Sequence, residues 1–273
     1  MFKARRSNST LGSGFALLEL IYHATVRSVR KTHGNAVIGL LLNMLQTVML
    51  VLVFYFMLDI LGMRGVAIRG DFLLYIMSGI FLYMTHTKTL TAVTMAEGST
   101  SPMMKHGPMT TAVSIASAAL GALYLQILSM VVVLYIYHAG FNPIEIENPI
   151  AAMGMVLLAW FSGVAMGLVF MALKPWAPDV VQVIQLIYIR ANMFASGKMF
   201  VANMLPAFML GMFDWNPLFH MIDQARGFTF INYNPHFSSV SYPLYVGLAF
   251  MVIGLMGEFY TRQYNSISWN AKR

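Results

Sequence analysis

The sequence predicts an all-α integral membrane protein with six transmembrane helices, an N-terminal amphipathic interfacial helix and a re-entrant external helical hairpin before the last span. Three observations predict it. Of 273 residues, 58% are hydrophobic and only 10% charged, far below the roughly 25% charged residues of a soluble domain. Several apolar runs exceed the roughly 20 residues that cross a hydrocarbon core. These runs are continuous rather than alternating with period two, which fits helices, whose backbone groups are satisfied internally, and not an outer-membrane barrel.

The spans fall at 36–61, 71–94, 111–139, 150–173, 180–200 and 243–261. The first is far longer than a signal-peptide core and no small-residue cleavage site follows, so it is expected to remain as a span. Six crossings put both ends on one side. Lys3, Arg5, Arg6, Arg27, Arg30 and Lys31 precede the first span, and Arg262, Lys272 and Arg273 follow the last, so that side is cytoplasmic. Loop 140–149 carries Glu145 and Glu147 without Lys or Arg, as an external loop should; Arg64 and Arg69 in the first external loop weaken this pattern without reversing it. The chain reads as a single membrane domain: a cytoplasmic segment at 1–35, the six-helix body at 36–261 and a cytoplasmic tail at 262–273. The net charge of +7 is then a topology signal and not a nucleic-acid footprint. With no cysteine in the chain, nothing suggests a disulfide framework, a thiolate metal site or a cysteine nucleophile.

Ahead of the first span, residues 15–31 place Leu18, Ile21, Tyr22, Thr25 and Val29 along one helical face, with Arg27, Arg30 and Lys31 at the end. This is the pattern of a helix lying in the membrane interface, either as a lipid anchor alone or also touching a partner subunit. Between spans two and three, residues 95–110 carry Glu97, Gly98, Ser99, Pro102, Lys105, His106, Gly107 and Pro108. Such punctuation marks a polar connector, and a short helix contacting a cytoplasmic motor is the alternative. Residues 201–213 are apolar but too short to cross, and Pro206 interrupts them. Asn216 and Pro217 then open a second short helix that closes at Gly227. Together the two segments predict a hairpin dipping into the external leaflet.

Catalytic signatures are missing. The only Gly-Lys pair, Gly197-Lys198, is followed by Met199 and has no upstream glycine at phosphate-loop spacing, so the chain has no nucleotide-binding loop of its own. His23, His33, His86, His106, His138, His220 and His236 show no metal-ligand spacing, so no metal site is expected. Charges at the membrane centre are expensive; Arg190 and Lys198 are the strongly basic residues of the fifth span. Arg190 has no carboxylate near it in sequence, which suits either a water-filled pathway or an interfacial position. Aromatic residues are abundant, and Phe54, Tyr55, Tyr75, Tyr83, Tyr188 and Phe194 are candidates to line a pathway in which rings stack on sugar faces. An interfacial aromatic belt accounts for the same residues. Gly163 and Gly167 are spaced for close helix packing.

In this order, the basic amphipathic helix, the six spans, the polar connector between spans two and three, and the segment from Asn216-Pro217-Leu218-Phe219-His220 through Met221-Ile222-Asp223-Gln224-Ala225-Arg226 resemble type-two ABC export permeases. Capsule and O-antigen polysaccharide exporters of bacterial inner membranes are the most similar. The stretch 195–212 departs from the proline-rich external connection of that family, having Pro206 alone. The resemblance implies a homodimer joined to two cytoplasmic ATP-binding subunits, with ATP and Mg bound by those partners and no cofactor bound by this chain. The polymer would pass between the two permeases, and periplasmic and outer-membrane export proteins are further candidate partners. Glu97, Ser99, Lys105, His106, Arg27 and Arg30 would couple to the motor, and Asn216, Pro217 and Arg226 would mark the external motif. No bond would be made or broken here; nucleotide-driven closure elsewhere would bias the spans between two arrangements. Alternatives are a permease of the same type carrying a drug, lipid or teichoic-acid-like polymer, and an ion-coupled carrier. The carrier is disfavoured because neither midplane carboxylates nor inverted repeats are visible.

Overall fold

The computed structural model describes residues 10–33, 36–62, 68, 70–96, 98 and 110–268, and among them it contains helices and no strand. In chain order these are α1 (Thr10–His33), α2 (Ala36–Ile60), α3 (Phe72–Thr94), α4 (Thr111–Gly140) and α5 (Pro149–Leu173). They are followed by α6 (Pro178–Ala195), a 3-10 turn at Ala202–Met204, α7 (Ala207–Phe213), α8 (Pro217–Thr229) and α9 (Ser241–Ser268). Side chains that accept from free amides fix several starts. Asp71 Oδ1 accepts from the amides of Leu73 and Leu74 at α3, and Asn148 Oδ1 accepts from Ala151 at α5, where Pro149 takes the first position. Each satisfies donors that a helix leaves unpaired at its beginning.

Four helices, α2, α4, α5 and α9, are long and apolar enough to cross a membrane, the signature of a helical membrane protein. The sequence predicts α3 and α6 as spans too, but both are less apolar than these four. α6 carries Asp179, Gln185 and Arg190, whereas α3 carries His86, Lys88 and the threonines 85, 87, 89, 91 and 94. α3 nonetheless lies at the centre of the bundle, packed by α2, α4, α5 and α8. Most of its hydroxyls are satisfied on the helix itself: Thr85, Thr87, Thr91 and Thr94 each donate to the carbonyl four residues back, at 2.8–2.9 Å. A threonine bonded in this way presents mainly its methyl group to its neighbours.

The bundle is built around the α3–α5 and α5–α9 contacts. Gly163 and Gly167, spaced as the sequence suggested for close packing, both face α3. A Cβ on Gly163 would lie 2.5 Å from the His86 carbonyl oxygen, and one on Gly167 would lie 2.8 Å from Val93 Cβ. Gly254 does the same for α9, where a Cβ would come within 2.6 Å of Leu168 Cβ. Close backbone approach of this kind supplies the dispersion contact that holds helices together when lipid removes any hydrophobic advantage. α5 is consequently the inner helix, with 67% of its apolar window buried against 17% for α9.

The bundle has two distinct ends. Where α2, α4 and α6 finish and α3, α5 and α9 begin, Tyr137 of α4 donates to Asp71, and residues 196–240 with α7 and α8 fold over this end. At the other, Trp176 Nε1 donates to Thr261 Oγ1 at 3.0 Å, and α1 packs on α4 and α2.

Several helix ends differ from those the sequence predicts, and α9 supplies one by running past residue 261 to Ser268. The fifth helix stops at Ala195 instead of reaching residue 200, because Gly197 adopts φ +75° and turns the chain. α8 runs past Gly227 to Thr229. The short pair is also asymmetric: α8 is largely buried against α3 and α5, while α7 contains no buried residue. The amphipathic helix likewise splits its apolar surface. Ala24 is buried and Val29 abuts Gly121 of α4, whereas Phe15, Leu18 and Tyr22 remain exposed.

Candidate functional site

The most densely bonded region lies at the α8 end. Asn216 Oδ1 accepts from the Leu218 amide at 3.0 Å and so caps α8, while its amide group donates to Asn192 Oδ1 at 2.9 Å and to the Ala195 carbonyl at 3.0 Å. One side chain thus starts α8 and fastens it to the end of α6. Leu218, Phe219, Met221, Ile222 and Ala225 bury the apolar face of α8, which carries Asp223 and Arg226 inward with it.

Arg226 is fully buried, at 0% exposure. Its Nη1 donates to the carbonyls of Gly197 (2.8 Å) and Phe200 (2.7 Å), and its Nη2 donates to that of Lys198 (2.7 Å). The left-handed turn at Gly197 makes those carbonyls converge, a conformation glycine adopts without penalty. The guanidinium also lies 4.1 Å from the Tyr75 ring centroid. Charge-assisted bonds of this type contribute about 1.5–3 kcal/mol each, and a desolvated cation over a ring adds about 2 kcal/mol. Arg226 is therefore a clasp holding a connector to the bundle. Gly79 of α3 makes room for it, since a Cβ there would lie 2.7 Å from Lys198 Cβ and 3.1 Å from Arg226 Nη2.

One turn earlier, Asp223 accepts from Tyr233 Oη, from Ser238 Oγ (2.7 Å) and from the Ala202 amide (3.4 Å). Burial first, and then the Asp223 charge and hydrogen bond, push the Tyr233 hydroxyl above the ordinary phenol range, so it stays protonated and keeps donating. His220 Nε2 bonds the Asp214 carbonyl and its Nδ1 accepts from the Ser239 amide. Both ring nitrogens are spent on backbone.

Lys198 is handled differently. The residue is 2% exposed, and its Nζ has no hydrogen-bond partner among the described residues. It sits 3.8 Å from the Tyr83 ring centroid and 4.3 Å from that of Phe54. Phe54, Tyr75 and Tyr83, drawn from two helices as pathway candidates, are therefore brought together, but they close on buried cations. Tyr55 is half-buried beside Phe72. Tyr188, also half-buried, bonds His86 Nε2 at 2.9 Å, and the His86 Nδ1 contacts Ser162 Oγ at 2.8 Å, joining α6, α3 and α5. Ser162 Oγ bonds the Ala159 carbonyl, which leaves His86 Nδ1 as donor to Ser162 and Nε2 as acceptor from Tyr188, an assignment made from the network. Arg190 and Phe194 are exposed on the outer face of α6, apart from the aromatic cluster.

The opposite end contains a cavity of about 610 Å³ between α1, α2, α3 and α4. Arg27 and Lys88 supply positive charge to its wall, and Asn43, Gln46 and Gln126 supply amides; the rest is hydroxyl and aliphatic. Lys88 Nζ donates to Gln46 Oε1 at 2.5 Å, and Gln126 Nε2 donates to Asn43 Oδ1 at 3.4 Å. Among the expected coupling residues, Arg27 is the one whose side chain is described, and it borders this cavity. Glu97, Ser99, Lys105 and His106 lie outside the described residues, as does the Arg30 side chain, and so do Arg64 and Arg69.

Sequence reasoning singled out Asn216, Pro217 and Arg226 but missed Gly79, Gly197, Asp223 and Tyr233. The one available signal was Gly197 interrupting an apolar helical run. No family model matches the chain, and no curated protein matches it.

Proposed function

We propose that the chain is the membrane-spanning permease of an ATP-driven exporter of the type-two ABC class, moving a capsular or O-antigen type polysaccharide across a bacterial inner membrane. In this reading α2 to α6 and α9 are six spans, both termini are cytoplasmic, and α7 with α8 is the re-entrant external unit. Two copies join two ATP-binding subunits that hold ATP and Mg. The observation that carries the proposal is the order of its parts. An amphipathic helix on one end of the bundle precedes the apolar helices, and an Asn-Pro-led helix, α8, inserts at the other end just before the last one. The α8 clasp supplies a rigid external cap of the kind a pathway between two copies needs. The exposed outer face of α6, with Arg190 and Phe194, supplies a surface for that pathway.

No step of covalent chemistry is assigned to this chain. Its residues hold the spans in register and transmit a shape change from the motor, so transport follows from a shift between two helix arrangements. The test is co-purification of the tagged chain with the products of its neighbouring genes and a search among them for a bound ATPase, followed by ATP-dependent glycan export from reconstituted vesicles. A stable stoichiometric complex with nucleotide-dependent export is the expected result. A chain that transports as a monomer with no nucleotide-binding partner overturns the proposal. A second reading, a permease of the same class for a lipid-like cargo, is favoured by one observation: the aromatic candidates Phe54, Tyr75 and Tyr83 are buried, while the accessible hollow is cationic and aliphatic. Export of labelled amphiphile but not of glycan by the same vesicles decides for it.

A further inference from the structure

The hollow bounded by α1 to α4 is large for an unassigned feature. Ligand pockets commonly occupy about 300–1,000 Å³, and this one holds about 610 Å³. Its chemistry is one-sided. Lys88 and Arg27 stand on its wall with the amides of Asn43, Gln46 and Gln126, and none of the described lining residues is a carboxylate. Lys88 is half-buried, and the hydrogen bond it makes goes to a neutral oxygen, Gln46 Oε1. An ammonium carries three donors, so this arrangement leaves its charge uncompensated by any described carboxylate in the wall.

A half-buried cation with no carboxylate beside it among the described residues is costly, and such a group marks a ligand or ion site. The position of the hollow adds a second argument. One wall is α1, whose Phe15, Leu18 and Tyr22 are exposed while Ala24 and Val29 face the bundle. Apolar residues left exposed along the first turns of an amphipathic helix suit the boundary of headgroup and acyl chain, which sets the hollow at headgroup level. Its aliphatic remainder, including Val29, Leu42 and Leu125, suits the chain-proximal part of an amphiphile.

We infer that the α1–α4 hollow is a binding site for a phosphoryl anion, held by Lys88 and Arg27 with donors from the neighbouring amides. Two sources share this chemistry, the headgroup of an anionic membrane lipid and a soluble phosphate compound. The site does not rest on the transport proposal, since its occupancy needs no ATPase and no glycan.

The experiment uses the full chain in nanodiscs of phosphatidylcholine doped with phosphatidylglycerol, with native mass spectrometry of the lipids that stay bound after extraction. A second arm adds inorganic pyrophosphate to pure phosphatidylcholine nanodiscs and reads thermal unfolding. Retention of phosphatidylglycerol over phosphatidylcholine by about tenfold, equivalent to about 1.4 kcal/mol, is the expected result for a lipid source. Stabilisation by pyrophosphate without lipid preference assigns the soluble source. Lys88→Gln and Arg27→Gln should each reduce the effect and together abolish it, while Lys88→Arg preserves it. Arg262→Gln, which removes a charge from exposed α9, should leave it unchanged. Equal retention of both lipids with no pyrophosphate shift overturns the inference, as does full preference in the doubly substituted chain. Should Lys88→Gln fail to fold, the Arg27→Gln and Lys88→Arg pair carries the same decision.

Discussion

The two ends of the bundle treat buried positive charge in opposite ways. At the α8 end, Arg226 is surrounded by carbonyl oxygens of a short connector and by the face of Tyr75. At the α1 end, Lys88 stands in an open hollow with a single amide oxygen bonded to it. A guanidinium offers planar, multiple donors that suit a fixed set of oxygens, whereas an ammonium is a compact charge that adapts to a ligand. The first arrangement is closed and structural; the second is chemically unfinished. Lys198 lies between these extremes, with ring faces but no hydrogen-bond acceptor among the described residues.

Substitutions sharpen that contrast. The largest effect should come from Arg226→Met, which strands the carbonyls of residues 197, 198 and 200. A loss of more than about 4 kcal/mol, at the extreme of single substitutions, should appear as a collapse in thermal unfolding temperature in detergent, and Arg226→Lys should rescue little. Next comes Asp223→Ala, which leaves the Tyr233 and Ser238 hydroxyls without their acceptor and should cost about 2–3 kcal/mol by the same measurement. Asn216→Ala removes a cap and the tie to α6 and should cost about 1–2 kcal/mol, with faster proteolysis at residues 196–216. Lys198→Met should change stability by less than about 1 kcal/mol or raise it, because an apolar side chain of similar volume keeps contact with the rings and removes a buried charge with no acceptor among the described residues. A fall as large as that of Arg226→Met would show that Lys198 belongs to the clasp. The smallest effect on folding, about 0.5–1 kcal/mol for one exchanged hydrogen bond, is expected for Lys88→Gln.

Much of this fold is legible in the sequence because hydropathy is a local property. The starts of α2, α3 and α4 coincide with the predicted ones or differ by a residue, since Asp71 and Thr110 mark helix entry with side chains that cap locally. The end of α6 is faint in the sequence, because the apolar run resumes at residues 199–202 after Ser196, Gly197 and Lys198 and the turn depends on the left-handed φ of Gly197. The clasp is hidden for a stronger reason: the acceptors of Arg226 are backbone carbonyls 26–29 residues away, and a carbonyl has no sequence signature. Phe54, Tyr75 and Tyr83 draw notice as aromatics, yet their cations, Lys198 for Phe54 and Tyr83 and Arg226 for Tyr75, emerge only when α2, α3, α8 and the turn after α6 are packed together. The α1–α4 hollow is equally scattered, for its polar residues come from four separate helices.

The polar character of α3 has a consequence for how the chain is made. With His86, Lys88 and its row of threonines, this helix gains little from entering lipid by itself, while the partners that cover much of it, α5 and α8, are synthesised only afterwards. If α3 is the second span, as proposed, the nascent chain must keep it sheltered against α2 until the later segments arrive. Truncation after α4 should yield a product that membrane quality control removes, even though α2 and α4 insert readily.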